Sequence, residues 1–318
     1  MLAAAGGGAK DYITFADPVV AQICATNWGD GVGITPAQAA AVTNQQFKGT
    51  FLNNTSIVSF DEFEYFTGVT QLAEDKDFNG CTNLASVKLP PNITSIGWGC
   101  LGLSSLTGTL VIPNTVTSIS RGSLDGTTGL TNLVNNTATT EAFFMSSGNG
   151  TGILYMKNVN WAFRYITANY KHILIDGDLT FTGVDWLFQN SNVESIRIKG
   201  NYTPTNDASM YYRGGNGTIA FVELGGQITN GSLPWDGYAS GAIVHLGYNG
   251  IAGTPARCRV SDANITKVYV GSGESQAADQ AVLNQYLADP DWAQYSSKLD
   301  LWYNYNGEYK NWPTIPTA

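Results

Sequence analysis

Between residues 78 and 96, in FNGCTNLASVKLPPNITSI, apolar side chains fall at Phe78, Leu84, Val87, Leu89, Ile93 and Ile96, with polar or small residues between them. The spacing of three and then two up to Leu89, followed by Pro90, predicts a short strand; Ile93 and Ile96 then carry the apolar edge back on a return path. A lone strand of this kind cannot bury its apolar edge. It needs a copy of itself above and below.

The copies follow. LSSLTGTLVIPNTVTSIS, starting at Leu103, repeats the strand, the proline (Pro113) and the return (Val116, Ile119). Further strand cores lie at 130–134, 153–156, 173–175, 193–198, 219–224, 244–246 and 265–270. Their last apolar residues are Leu89, Ile112, Val134, Met156, Ile175, Ile198, Leu224, Leu246 and Val270, at steps of 19 to 26 residues. A second column, Phe78, Leu101, Leu124, Phe144, Phe163, Phe188, Tyr212 and Tyr238, precedes the strand cores at the same steps. The two columns share one phase. They predict a β-rich solenoid of about nine coils, built from short parallel strands.

The pattern F-x-x-C-x-x-L-x-x-V-x-L-P followed by I-x-x-I, over residues 78–120, resembles the BspA-type leucine-rich repeats of gut bacterial surface proteins, protist adhesins and phages of gut bacteria. Later coils keep the spacing and lose the Cys and Pro. ITFADPVVAQICATNWGDGVGITPAQAAAVT and IVSFDEFEYFTGVTQL resemble the N-terminal cap that precedes such repeats. The resemblance implies a leucine-rich repeat fold with a small-residue arm over 1–10, a helical cap over 11–77, the solenoid over 78–271, and a helical cap with an extended tail over 272–318.

Within the caps, Asp17 with Pro18 predicts the start of one helix, and Thr35, Pro36 and Gln38 form a capping box for another. DEFEYF, with Asp61, Glu62 and Glu64, reads as an amphipathic helix whose acids face water. Ser275 starts a helix that carries Val282, Leu283, Tyr286 and Leu287 on one face, and a second helix runs from Asp291 to about Lys298. The tail YNGEYKNWPTIPTA reads as extended along the body or against a partner.

Composition narrows the function. Thirty-six glycines and only 13% charged residues suit many short strands and tight turns. A net charge of -9 argues against nucleic acid or an anionic membrane as partner. No stretch approaches 18 consecutive apolar residues, so no membrane span is expected. The N-terminus lacks the apolar core of a secretory leader. That favours a virion protein over a bacterial surface adhesin, since a virion part is assembled inside the host.

The outward positions of the strands are Ser86, Lys88, Tyr155, His172, Leu174, Ser195, Arg197, Phe221, Glu223, His245, Lys267 and Tyr269. Exposed rings beside charges suit a binding face. Tyr155, His172, Arg197, Phe221, Glu223, His245, Lys267 and Tyr269 are therefore the candidate ligand contacts. A further column, Trp161, Trp186, Tyr211 and Trp235 (with Trp98 before it), either grips sugar rings along an edge or wedges between coils.

No catalytic constellation stands out, and no cofactor is implied. Asp176 with Asp178, and the acids of DEFEYF, are pairs of the sort a glycosidase uses, yet IDGD is a turn after a strand. The loop GDGVGIT, residues 29–35, resembles a half EF-hand; Asn27 and Asp30 remain, but the closing acid is missing. A glycine turn without an ion is the expectation. Cys24, Cys81, Cys100 and Cys258 show no metal spacing, and Cys81 with Cys100 on adjacent coils is the one pair a disulfide would join. The resulting expectation is a nonenzymatic virion component, a fibre, spike or decoration protein, that contacts a host-surface carbohydrate or protein receptor. A bacterial adhesin, a structural virion part touching other virion proteins, and a homo-oligomer remain alternatives.

Overall fold

The computed structural model describes residues 10–74, 76–102, 105–120, 122–137, 151–157, 159–161, 170–181, 193–204, 218–229, 237–306, 309 and 312–316. Nine strands make the main sheet: β1 (Gly108–Ile112), β2 (Leu130–Asn135), β3 (Ile153–Met156), β4 (His172–Ile175), β5 (Ser195–Ile198), β6 (Ile219–Leu224), β7 (Tyr238–Leu246), β8 (Ile265–Val270) and β9 (Leu299–Leu301). Each pairs in parallel with the next in sequence. Parallel neighbours need a long crossover, and here each crossover is one turn of a solenoid.

The return path also forms strands. Gln71–Leu72, Ser95–Ile96 and Ser118–Ile119 stack in parallel, as do Val159–Trp161, Leu179–Phe181 and Tyr202–Pro204. The coil count differs slightly from the nine read in the spacing. The strand of the first repeat, Ser86–Val87, pairs with Ser59–Phe60 in a separate sheet, and the last rung of the main sheet comes from the C-terminal cap.

The register places Ile112, Asn135, Met156, Ile175, Ile198, Leu224, Leu246, Val270 and Leu301 in one rung column. This corrects the expectation at one coil: Asn135, not Val134, shares the rung with Ile112 and Met156. Val134 pairs with Val111 and Tyr155 on the outward side. Asn135 is buried, and its side-chain oxygen accepts from Thr137 N at 3.1 Å as the chain turns.

One apolar cluster runs through the solenoid from Val20 to Leu299. In the second column Phe78, Leu101, Leu124 and Tyr238 are buried; Phe144, Phe163, Phe188 and Tyr212 lie outside the described residues, as do Leu103 and residues 1–9 of the arm. At the N-terminal end, α1 (Pro18–Asn27), α2 (Pro36–Ala40) and α3 (Asn44–Phe47) close the first coil. Asp17 caps α1, accepting from Val19 N at 2.8 Å, while its other oxygen takes Val58 N at 2.5 Å, so one carboxylate ties the cap helix to the chain entering the first strand. Thr35 and Gln38 make the capping box. The plug is aromatic: Phe47, Phe51, Phe60, Phe63, Phe66 and Phe78 pack ring on ring, with Trp28 stacked on Phe47 at 5.8 Å. DEFEYF forms a 3₁₀ turn, Asp61–Tyr65, rather than an amphipathic α-helix, because Phe63 must reach this plug within one short turn.

At the other end α4 (Gln276–Ala288) buries Val282 and Tyr286, whereas Leu287 is exposed. The second helix is shorter than expected. α5 (Pro290–Ala293) stops where Trp292 is buried and its indole N–H donates to Gly253 O at 2.9 Å. Lys298 then bonds Val260 O and Asp262 O, which sets the following residues onto the sheet as β9.

Candidate functional site

Side chains alternate across a strand, so the rungs that point away from the core fall into two parallel columns. One runs Val111, Val134, Tyr155, Leu174, Arg197, Glu223, His245, Tyr269, Asp300. The other runs Ile153, His172, Ser195, Phe221, Ile243, Lys267. All eight residues expected to form a strand-face site lie in these two columns. The solenoid brings together positions more than a hundred residues apart in sequence.

This face is roofed over much of its length by the C-terminal tail. A 3₁₀ turn, Trp302–Tyr305, follows β9, and Trp302 stacks on His245 with centroids 3.8 Å apart. Tyr309 stacks on Phe221 at 3.8 Å. Trp312 lies against Arg197, with the guanidinium carbon 5.4 Å from the ring centroid, and its indole N–H donates to Glu223 Oε2 at 3.2 Å. Trp312 and Ile315 also pack on Val134, Ile153, Tyr155 and Leu174, with Val111 beside them. Consequently Phe221 is 0%, His245 5% and Tyr155 9% exposed. The ribbon points outward from the solenoid, as expected, but its middle is covered by the chain itself.

Charges on the face pair between adjacent coils. Arg197 Nε meets Glu223 Oε1 at 3.1 Å, Lys267 meets Asp300 at 3.3 Å, and Lys199 meets Asp176. Lys199 beside it holds the Asp176 carboxyl below the ordinary range, and Tyr155 OH donates to the same group at 3.3 Å. His172 Nδ1 lies 2.7 Å from Ser195 Oγ, and burial lowers its basicity. His245 Nε2 donates to Gly271 O at 2.8 Å; burial likewise keeps this ring neutral.

The face is open where the tail stops. There a groove of about 770 Å³ begins at Val111 and runs to the N-terminal cap, lined by Glu64, Tyr65, Lys88, Thr109, Asn136 and Lys157 among others. Val111 lines it on the outward side, the strand at Val87 and Leu89 borders it with those side chains buried in the core, and Tyr65 stands 43% exposed beside it. Of this lining the sequence marked Lys88 as an outward strand position, Glu64 as one of the DEFEYF acids, and Val87, Leu89 and Pro113 as parts of the repeat. Tyr65 comes from the cap turn and Lys157 from the end of β3, and no periodic signal joins them.

The remaining candidates behave differently. Trp186, Tyr211 and Trp235 lie outside the described residues; the Trp161 backbone sits in a return strand, and nothing is described of its side chain. Trp98 is exposed. Asp178 accepts from Asn201 N at 2.7 Å, and Asp61 is bonded by Ser86 Oγ, so both carboxylates serve turns or neighbouring coils. In the glycine loop, Asp30 is bonded by Lys10, by Tyr12 OH at 2.7 Å, and by Val32 N and Gly33 N, while the Asn27 amide donates back to Ile23 O. Among the described residues no group of three His, Cys, Asp or Glu side chains is placed to hold a metal. Cys81 and Cys100 are free buried thiols, as are Cys24 and Cys258, and Cys81 lies 3.0 Å from Phe51 O.

Parallel strands in sequence order, two inward and two outward columns, and helices closing both ends define a leucine-rich repeat solenoid. The chain belongs to the BspA type leucine-rich repeat family: six copies of the BspA type Leucine rich repeat region match over residues 43–160 and 108–214, which together span more than half of it. No curated protein and no solved structure matches the chain. No helix among the described residues is long and apolar enough to cross a membrane.

Proposed function

We propose that this chain is a nonenzymatic binding protein of a phage particle, a fibre, spike or decoration component, that holds a host-surface glycan, receptor or mucus through the strand face of its solenoid. The observation that carries the reading is the open groove at the N-terminal end of that face. It offers an exposed ring (Tyr65), hydroxyl and amide groups (Thr109, Asn114, Asn136), two cations (Lys88, Lys157) against one acid (Glu64), and apolar surface at Val111, Pro91 and Pro113. A flat ring with amides beside it suits a sugar: the ring meets its C–H face and the amides meet its hydroxyls. The lysines favour an acidic glycan despite the net negative charge of the chain.

Repeat proteins of this family type lend themselves to surface binding, and four buried thiols suit assembly in a reducing compartment. Asp61, Asp176 and Asp178 are engaged by neighbouring coils, which favours a scaffold over a glycosidase. A structural role, joining subunits of the particle, is the second reading. It is favoured by the peptide-like tail already seated on the same face.

The test is a pull-down of host cells, capsular polysaccharide and mucin by the purified protein, together with immunolabelling of intact particles. Retention of one of these ligands by wild type and its loss in Tyr65→Ala and Lys88→Ala support the reading. Failure to retain any of them, or binding unaffected by both substitutions, counts against it.

A further inference from the structure

The tail meets the strand face in an unusual way. Tyr309, Trp312 and Ile315, every third residue, all reach the sheet: Tyr309 over Phe221, Trp312 over Arg197 and Glu223, and Trp312 with Ile315 on the cluster of Val134, Ile153, Tyr155 and Leu174. Among the described residues no backbone hydrogen bond joins 309 or 312–316 to the sheet. These described residues are therefore not an added strand. Side chains hold them.

Pro313 and Pro316 fix φ near the value of an extended polyproline backbone. Tyr309 and Trp312, with ring centroids 5.2 Å apart, both meet β6, Trp312 lying 5.7 Å from Phe221, and Trp312 reaches on to Arg197 of the adjacent β5. The rungs supply what each anchor needs. Phe221 gives a flat ring for Tyr309. Arg197 gives a cation for the Trp312 face, and Glu223 an acceptor for its indole N–H. Val134, Tyr155 and Leu174 give an apolar seat for Ile315.

We infer that the middle of the strand face is a peptide-recognition track for extended, proline-bearing segments with aromatic-x-x-Trp-Pro-x-aliphatic spacing, and that Tyr309 and residues 312–316 occupy it as a resident ligand. This rests on the reading of the strand face as the binding surface and extends it to a second class of partner, the tail of a second copy of this chain, whose own tail is the segment seen seated there. Because side chains seat Tyr309, Trp312 and Ile315, and no backbone bond among the described residues pairs 309 or 312–316 with the sheet, such a segment exchanges with them without unpairing a strand there. The free tail competes at the high effective concentration of a tethered ligand.

The experiment uses the full chain and a labelled peptide of its own tail, GEYKNWPTIPTA, read by fluorescence anisotropy. The chain carrying Trp312→Ala and Ile315→Ala, checked for an unchanged circular dichroism spectrum, should bind the peptide at least about tenfold more tightly than wild type. A peptide with alanine at the Trp and Ile positions should not bind. Ile315→Ala alone, a milder change, should move affinity in the same direction. Equal binding by wild type and variants, or binding by neither, overturns the inference. The peptide experiment reads the face at Trp312 and Ile315 and the pull-down reads Tyr65 and Lys88, so a failed peptide experiment leaves the host-ligand reading standing, and a failed host pull-down leaves the track standing.

Discussion

Trp312 and Arg197 form a closed set with Glu223: the guanidinium carbon is 5.4 Å from the indole centroid, the Arg197 Nε bonds one carboxylate oxygen at 3.1 Å, and the indole N–H bonds the other at 3.2 Å. The ion pair alone is partly exposed and contributes little. The ring laid against it excludes water from one side. A double-mutant cycle with Trp312→Phe and Arg197→Met should give a coupling of about 0.5–1 kcal/mol in chemical denaturation. A coupling indistinguishable from zero would mean that the tail lies on the face without being held there by this contact.

Ile196 is buried on β5 in the column of Leu133, Leu154, Ile173, Val222, Val244 and Val268. Truncation to alanine should lower stability by about 2–5 kcal/mol. In a solenoid each repeat leans on its neighbours, so hydrogen exchange should rise first in β4, β5 and β6. Uniform exchange along the chain would contradict that local response.

Gly271 ends β8 with φ at +98°, and a Cβ there would sit 2.2 Å from Asp279 Oδ1. The buried Asp279 carboxylate joins α4 to the solenoid, accepting from Gly273 N at 3.0 Å and from Tyr303 N at 2.8 Å, at the root of the tail. Gly271→Ala should cost at least the roughly 1–2 kcal/mol of a left-handed backbone, and it should speed proteolysis after residue 300. An unchanged melting temperature would refute this.

Burial holds the His245 ring below the ordinary histidine range. The Gly271 carbonyl and the Glu223 and Asp279 carboxylates pull the other way, and Arg197 adds to the depression. The fold keeps the ring neutral where the unfolded chain takes a proton. Its contribution is therefore complete above about pH 6.5 and is lost as pH falls below that value toward the depressed one. His172, also depressed by burial, acts in the same sense. Denaturation at about pH 7.5 and pH 5.5 should show a loss of stability at the lower value, and His245→Phe, which keeps a ring against Trp302, should reduce that loss. An equal loss in both proteins would remove His245 from the account.

The four thiols are buried, and burial raises each of them, Cys81 to about 11. A thiol reagent at neutral pH should label none of them in the native protein within minutes and all four after denaturation. Rapid labelling of any one in the native state would show that its coil opens.

The solenoid was legible because burial of a repeated edge forces apolar residues into fixed steps, and Ile112, Ile198 and Val270 needed no other signal. Asn135 was not legible. It fills its rung as a buried amide bonded to Thr137 N, and hydrophobic counting passes over it to Val134. The outward columns could be read from alternation alone, yet their covering could not. Trp312 bonds Glu223 across 89 positions of sequence, and no periodicity links a tail to a rung. The groove was hidden for the same reason: Tyr65 and Lys157 meet only because the cap turn folds over the first coils.

The most direct measurement is a hydrogen-exchange footprint of the protein with the host polysaccharide or receptor it retains. Protection at residues 64–65, 87–91, 109–114 and 157, where the open end of the strand face lies, is the result predicted here. Protection confined to the return strands at 71–72, 95–96 and 118–119, or to the cap helices α1 and α4, would contradict it.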